Sequence, residues 1–110
     1  MTPIIRSGYD AAIPVRIRVG GVNEPLTGYT IKACLKDRAK LVELITDTVQ
    51  SSSADGADWT NGLLIVEFPL TATGGLTPDS AWIEIAVIRN GKRLPVNDVP
   101  VTIETGYVLS

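Results

Sequence analysis

The sequence contains no histidine, which is the most common general base in enzymes and the most common metal ligand in proteins. Its single cysteine, Cys34, excludes a disulfide within the chain and fits synthesis in a reducing compartment. Without a histidine partner, Cys34 is not expected to act as a catalytic thiolate. We therefore expect a protein that is not an enzyme, with no catalytic residue, no cofactor and no metal ion.

Charged residues are also scarce, at 20% of the 110 residues, and the formal net charge is only -2. The 10 basic and 12 acidic residues are spread along the chain, which does not favour binding to nucleic acid or to an anionic membrane. No apolar run approaches the roughly 20 residues of a transmembrane helix, and the first residues lack the basic and apolar regions of a signal peptide. We expect synthesis in the cytoplasm, with no nucleic-acid or membrane partner.

The length fits one domain over residues 1–110. Pro3 and Gly8 interrupt residues 1–10, which we expect to form an N-terminal arm or a short edge segment, and residues 105–110 are expected to form a C-terminal tail. Between them, apolar residues alternate in short segments separated by turn residues. This pattern predicts an all-β fold, an antiparallel immunoglobulin-like β-sandwich of about seven short strands.

Residues 81–92 have the clearest strand pattern. Apolar residues alternate with partly polar ones, so that one face carries Ile83, Ile85 and Val87 and the other carries Trp82, Glu84, Ala86 and Ile88. Asn90 and Gly91 then provide the pair of residues that a type I′ turn requires, because both central positions need a positive φ. We expect the first face to point into the core and the chain to reverse at Asn90.

Three further segments are predicted to be strands. Residues 11–19 alternate, and Pro14 places that strand at a sheet edge or a bulge because proline donates no backbone hydrogen bond. Residues 29–36 alternate with Cys34 on the outer face. Residues 41–49 also fit a helical stripe, but their β-branched residues favour a strand, and helix remains the alternative.

Residues 63–70 are apolar on nearly both faces, so we expect a central strand whose second face is covered by a helix, a long loop or another subunit. This strand supplies the candidate protein interface together with the apolar residues on the face of residues 81–92 that carries Trp82. It consists of Trp82, Ile88, Leu64, Val66 and Phe68. The polar loop at residues 50–62 carries one tryptophan, Trp59, which is a candidate loop contact.

Several groups of polar or aromatic residues suggest chemistry, and each has a simpler interpretation. They are Asp47, Asp55 and Asp58 as cation ligands, Glu43, Glu67 and Glu84 as a glycosidase pair, Arg16, Arg18, Lys32 and Lys36 as a basic patch, and Trp59 with Trp82 as a sugar-stacking platform. The acids match no complete calcium-loop motif. We favour solvated surface for the charged residues and packing roles for the tryptophans.

The order of these segments resembles the N-terminal domain of phage baseplate upper proteins. The similarity is carried by the alternating strand 13–19, Leu-Thr-Gly at 26–28 before Tyr-Thr-Ile, Gly-Leu-Leu-Ile-Val at 62–66, Leu-Thr-Ala-Thr at 70–73, and Ala-Trp-Ile-Glu-Ile at 81–85 before Asn-Gly-Lys at 90–92. The resemblance implies an immunoglobulin-like sandwich in a phage or prophage tail, where the family's domain attaches a receptor-binding or fibre protein, and it implies no catalytic residues.

From the residues and the resemblance together, we expect a structural protein of a phage tail or baseplate. It would act through contacts with other tail proteins and with copies of itself, and would reside in the virion tail. The alternative is a carbohydrate-binding or adhesive module that uses the loop at residues 50–62.

Overall fold

The computed structural model describes residues 2–106, and almost all of its regular structure consists of strands. The strands are β1 (Ile4–Arg6), β2 (Ala11–Arg16), β3 (Arg18–Val19), β4 (Val22–Asn23), β5 (Thr30–Asp37), β6 (Glu43–Val49), β7 (Leu63–Phe68), β8 (Asp79–Arg89), β9 (Lys92–Arg93) and β10 (Val99–Glu104). A 3-10 turn at Trp59–Asn61 precedes β7, and a single helical turn, α1 (Leu70–Thr73), follows it. The predicted all-β fold is confirmed.

The strands form two main layers. A large sheet has the order β1-β10-β8-β5-β6, with β9 paired to the end of β8, and a small sheet consists of β2 and β7. A short hairpin, β3–β4, continues from β2. Pro14 lies on β2, which pairs only with β7 among the described residues. The other side of β2 has no strand partner, so no hydrogen bond of the sheet is lost there because proline lacks an N–H.

The N-terminal segment is not a free arm. Strand β1 pairs in parallel with β10 at the edge of the large sheet, and the side chain of Ile5 is fully buried. Backbone hydrogen bonds continue the pairing, since Thr102 N–H donates to Pro3 O over 2.9 Å and Ser7 N–H donates to Glu104 O over 3.1 Å. Of the two possibilities expected for residues 1–10, the short edge segment is the one found, and its parallel pairing means that the sheet is not purely antiparallel. In the predicted tail at residues 105–110, positions 107–110 lie outside the described residues.

The number of strands also differs from the prediction. There are ten strand segments in residues 2–106 rather than the expected seven or so. The predicted strand 11–19 is divided at Ile17, between β2 and β3. There its N–H still donates to Gly62 O over 2.8 Å, next to the Arg16–Leu63 pair, while its carbonyl accepts a hydrogen bond from Glu24 N–H over 3.0 Å. The other added segments are β1, with three residues, and β4, with two, which are too short for alternation to show in the sequence.

Strand β8 behaves as its alternation predicts. Ile83, Ile85 and Val87 are buried and join the inward side chains of β5 and β10 in one core. At the end of β8, Asn90 and Gly91 have φ angles of 53° and 74°, and Arg89 pairs with Lys92 across the turn. The predicted type I′ reversal is confirmed, because both central residues occupy the left-handed region.

The strand interpretation of residues 41–49 is also confirmed, since β6 spans Glu43–Val49 and pairs with β5. That pairing contains two register shifts, one between Ala33 and Leu35 and one between Leu35 and Lys36. Each shift breaks the alternation of faces along β6, because an extra residue reverses the direction of the side chains that follow. This explains why its apolar residues also fit a helical stripe.

The second face of β7 is covered by the long loop at residues 50–62. Ile65 points to that face and is buried, and a methyl group placed on Gly56 of the loop would lie 3.9 Å from Ile65 Cδ1. The loop closes onto the start of β7, where Asp58 and Leu63 exchange backbone hydrogen bonds of 3.0 and 2.9 Å. Of the covers expected from the sequence, the loop is the one found here.

Gln50, at the start of that loop, connects the two sheets. Its backbone N–H donates to Ile31 O in the large sheet, while its side-chain Oε1 accepts a 2.8 Å hydrogen bond from Glu67 N–H in the small sheet. The amide nitrogen donates to Thr48 O and Thr48 Oγ1, so both ends of the buried amide have partners. A buried polar side chain with both ends bonded fixes the relative position of the two layers at this edge.

Candidate protein interface

Three of the five residues predicted to form a protein interface lie inside the protein. Leu64, Val66 and Phe68 are fully buried, because they stand opposite Val15, Ile13 and Ala11 of β2 on the core face of the small sheet. A partner cannot reach them in the folded domain. That part of the predicted interface is wrong, since the two apolar faces of β7 were assigned in the wrong sense.

The other two residues, Trp82 and Ile88, lie on the outer face of the large sheet and are partly exposed. The turn between β5 and β6 folds over Trp82. The indole Nε1–H donates to Arg38 O over 3.2 Å, and Lys40 Nζ lies 4.2 Å from the ring centroid. Lys40 is held there by a 2.8 Å ion pair with Asp98. Trp82 therefore already has protein partners on its polar edge and on one ring face.

Four of the nine large apolar side chains that are exposed among the described residues lie on β6 and the turn before it. Leu41 is 84% exposed, Val42 56% and Val49 71%, and Leu44 is also exposed. Strand β6 is the outer strand of the large sheet, so its far side has no strand partner among residues 2–106. An edge strand with apolar side chains in solvent is a typical contact surface for another protein. We call these four residues the β6 edge.

The turn that presents Leu41 and Val42 is held rigidly. The carboxylate oxygen Oδ1 of Asp37 accepts hydrogen bonds from Leu41 N–H and Val42 N–H at 2.8 and 3.0 Å. Asp37 N–H in turn donates to Val42 O over 3.0 Å. These bonds satisfy the turn backbone, so the two apolar side chains are displayed from a fixed position.

Sequence reasoning missed the β6 edge because it treated Leu41, Leu44 and Val49 as members of an ordinary half-buried strand. Only Ile45 of β6 reaches the core as a fully inward side chain. A signal was present in the ambiguous periodicity of residues 41–49, which fits neither a clean strand nor a clean helix.

Trp59, the candidate loop contact, packs against the core and is only partly exposed. Its backbone carbonyl accepts a 2.7 Å hydrogen bond from Leu26 N–H, and its indole nitrogen is buried without a hydrogen-bond partner. Trp59 lies on the 3-10 turn and bonds to Leu26, whereas Trp82 lies on β8 and bonds to Arg38. This placement favours a local packing role for Trp59, and the carbohydrate hypothesis stays a prediction.

The acidic residues are placed as follows. Glu43 and Glu84 belong to the large sheet, and Glu67 belongs to the small sheet. Glu84 is engaged by Lys36 at 2.9 Å and by Arg93 at 3.5 Å. In the loop, hydrogen bonds from the side chains of Asn61 and Thr60 hold the pKa of Asp58 below its usual value. These contacts are typical of carboxylates that support surface structure.

The basic residues do not form the patch that was weighed from the sequence. Arg16 donates to Asn61 O over 3.3 Å at the end of β2, and Arg18 donates to Asn23 Oδ1 over 3.1 Å within the β3–β4 hairpin. Lys32 and Lys36 lie on β5 in the large sheet. The four cations are thus divided between different sheets.

Cys34 lies on the outer face of β5, as predicted, yet it is buried by neighbouring side chains. Its sulfur and one carboxylate oxygen each of Glu43 and Asp47 lie within 4.8 Å of one another. Burial, together with the negative charges of Glu84, Asp47 and Glu43, raises the pKa of the Cys34 thiol to about 11. The thiol is therefore protonated at neutral pH, which makes it a poor nucleophile.

This environment predicts slow chemical labelling of Cys34. A pKa of about 11 instead of 9.0 leaves about 100-fold less thiolate at pH 8. Labelling with a disulfide reagent should therefore be at least about 100-fold slower for the native protein than for the protein in denaturant, and the native rate should keep rising between pH 8 and pH 10. Similar rates in the two states would show that Cys34 is accessible and its thiolate is not suppressed.

Among the described residues, no helix is long and apolar enough to cross a membrane. No model of a known protein family and no curated protein matches the sequence.

A solved structure is similar, however. The chain superimposes on the N-terminal domain of phage TP901-1 ORF48 with a TM-score of 0.55 and 14% sequence identity. The two chains share a fold. The match covers 97% of this chain and 86% of that chain, so the similarity extends over nearly the whole chain rather than one motif.

Proposed function

We propose that this protein is a non-enzymatic structural component of a phage or prophage tail or baseplate, acting through protein–protein contacts. The observation that carries the proposal is the fold it shares with the N-terminal domain of a phage protein over 97% of its length. The sequence segments that resemble the N-terminal domain of baseplate upper proteins support the same assignment and its more specific immunoglobulin-like description. The virion tail is the location that follows from this proposal.

The β6 edge supports the proposed mode of action. Its apolar side chains stand on an outer strand and on a rigid turn, where a neighbouring tail protein or a second copy can cover them. Burying such side chains contributes roughly 25 cal/mol per Å² of apolar surface removed from water. Tail assembly through this edge would therefore remove the largest set of exposed apolar groups on the large sheet.

The non-enzymatic part of the proposal is supported by the chemistry of the polar residues. Glu67 belongs to a different sheet from Glu43 and Glu84, and the Glu84 carboxylate is already paired with two cations. The Cys34 thiol is protonated, and the sequence has no histidine to activate it. These residues are poor candidates for acid, base or nucleophile.

A pair of matched substitutions tests this function. Val49 and Val22 are strand residues of nearly equal exposure, 71% and 69%, but only Val49 belongs to the β6 edge. We expect the protein to bind itself or a product of a neighbouring tail gene in sedimentation and pull-down measurements. Val49→Asp should weaken that binding by about tenfold or more, because an unpaired carboxylate is costly in an apolar contact, and Val22→Asp should leave it unchanged.

The proposal fails if the wild-type protein is strictly monomeric at high concentration and binds none of the proteins encoded beside it. Equal loss of binding in the two aspartate variants would contradict the β6 edge as the contact surface, while leaving the structural function supported. Circular dichroism and thermal unfolding of both variants would verify that each remains folded.

A further inference from the structure

The hairpin at the end of β8 contains an unbalanced group of cations. Three of the five residues at positions 89–93 are basic and none is acidic, although the whole chain has a net charge of -2. Arg89 stands directly opposite Lys92 in the pairing of β8 with β9. Like charges at directly opposed positions destabilise a hairpin, so this arrangement is unfavourable in the isolated protein.

No carboxylate within the described chain relieves this repulsion. Neither Arg89 nor Lys92 belongs to any of the ion pairs found between residues 2 and 106. Arg93 differs from them, because it contacts Glu84 at 3.5 Å. Both side chains belong to exposed residues at the strand end. Their charges are therefore free to interact with an anion from outside the chain.

The guanidinium of Arg89 is also held in position. Its central carbon lies 4.4 Å from the ring centroid of Tyr29, a cation–π contact that restrains the position of the guanidinium. Tyr29 is anchored in turn, because its backbone N–H donates to Leu26 O and its ring packs against the core. A rigid cation loses less entropy when it binds a ligand than a mobile one does.

A concave surface lies between these groups. A cavity of about 270 Å³ is lined by Tyr29, Arg89, Asn90, Lys92, Arg93 and Leu94. Its lining offers guanidinium, ammonium and amide donors and contains no carboxylate. We propose that this cavity is a binding site for an oxyanion, a carboxylate or phosphate group, held between Arg89 and Lys92 beside the Tyr29 ring.

An anion in this position converts the repulsion between Arg89 and Lys92 into two charge-assisted contacts. Arginine presents paired donors that match the two oxygens of a carboxylate or phosphate, and lysine adds a point charge. The site does not depend on the tail assignment, and it lies on the β8–β9 hairpin rather than on the β6 edge. It would serve an acidic segment of a partner protein or a free anion equally well in chemical terms.

NMR titration of the ¹⁵N-labelled protein distinguishes these sources, with a hexaglutamate peptide in one arm and inorganic phosphate in the other, both at constant ionic strength. We expect saturable shifts of the backbone amides at residue 29 and residues 89–93. Saturation by the peptide alone identifies an acidic segment as the ligand source, and saturation by phosphate identifies a free oxyanion. Either result supports the site.

The double variant R89Q/K92Q should weaken binding by about tenfold, because two charge-assisted contacts are lost. It should fold with close to wild-type stability, since the removal of like-charge repulsion offsets the loss of the contact between Arg89 and Tyr29. R6Q/K32Q serves as control, because it changes the net charge by the same amount at two positions away from the cavity. The proposal is overturned if neither probe gives saturable shifts at these amides, or if the control variant loses as much affinity.

Discussion

Gly62→Ala is expected to lower the free energy of unfolding by about 2–5 kcal/mol, combining the cost of a left-handed alanine with that of overpacking. Gly62 has a φ of +76° and ends the 3-10 turn at Trp59–Asn61, where its N–H donates to Trp59 O over 3.2 Å. A non-glycine residue is strained in this conformation wherever it lies in the fold.

The larger part of the expected effect comes from the surroundings of Gly62. A Cβ atom at this position would lie 2.8 Å from Ile17 O, 2.9 Å from Glu24 O and 3.2 Å from Glu24 N. These are backbone atoms that cannot rotate away. They belong to a junction in which Ile17 N–H donates to Gly62 O and Glu24 N–H donates to Ile17 O. Relief of the clash would therefore pull apart the end of β2, the β3–β4 hairpin and the loop that holds Trp59.

Gly91→Ala separates the two contributions. Gly91 has nearly the same φ, +74°, but a Cβ atom there would meet nothing within 4 Å. It should cost only about 1–2 kcal/mol, the backbone strain alone. Urea unfolding followed by tryptophan fluorescence would measure both variants. Equal destabilisation of the two would mean that the junction accommodates a methyl group and that the tight packing around Gly62 is not a constraint on the fold.

The sequence was most informative where one local preference determined the outcome. Strand β8 could be predicted with its faces assigned because its inward positions are all Ile, Val or Ala and its turn is Asn-Gly. The inward and outward faces of β5 could be assigned for the same reason, including Cys34 on the outer face. In the pairing of β5 with β8, the alternation of side chains and the register agree from Thr30 to Asp37.

The sequence was least informative where a distant segment determined the outcome. Both faces of β7 are apolar, so its own pattern does not decide which face is the core; the pairing with β2 and the position of the loop at residues 50–62 do. Strand β1 has only three residues, and its pairing with β10 joins segments from opposite ends of the chain. The register shifts in β6 depend on pairing with β5, and they are the reason that the β6 edge could not be derived from alternation alone.

Phe68→Ala is expected to lower the free energy of unfolding by about 3–5 kcal/mol, the usual cost of removing a buried aromatic side chain. Phe68 is 1% exposed and lies opposite Ala11 on the core face of the small sheet. The small residue opposite it offers little material to fill the cavity, so we expect the loss of contacts to be poorly compensated.

The same substitution tests where the interface lies. Leu41→Ala, at a side chain that is 84% exposed, should change stability by no more than about 0.5 kcal/mol, and under the proposed function it should weaken binding to the partner. Denaturant unfolding and the partner-binding assay are applied to both variants. A core residue should lower the stability when it is replaced, whereas a contact residue should lower the binding and leave the stability nearly unchanged. A residue in a close-packed core cannot lose its ring at a cost of only about 1 kcal/mol. If Phe68→Ala left the stability that close to wild type while reducing binding, the face of β7 that carries Phe68 would have to be the outer one.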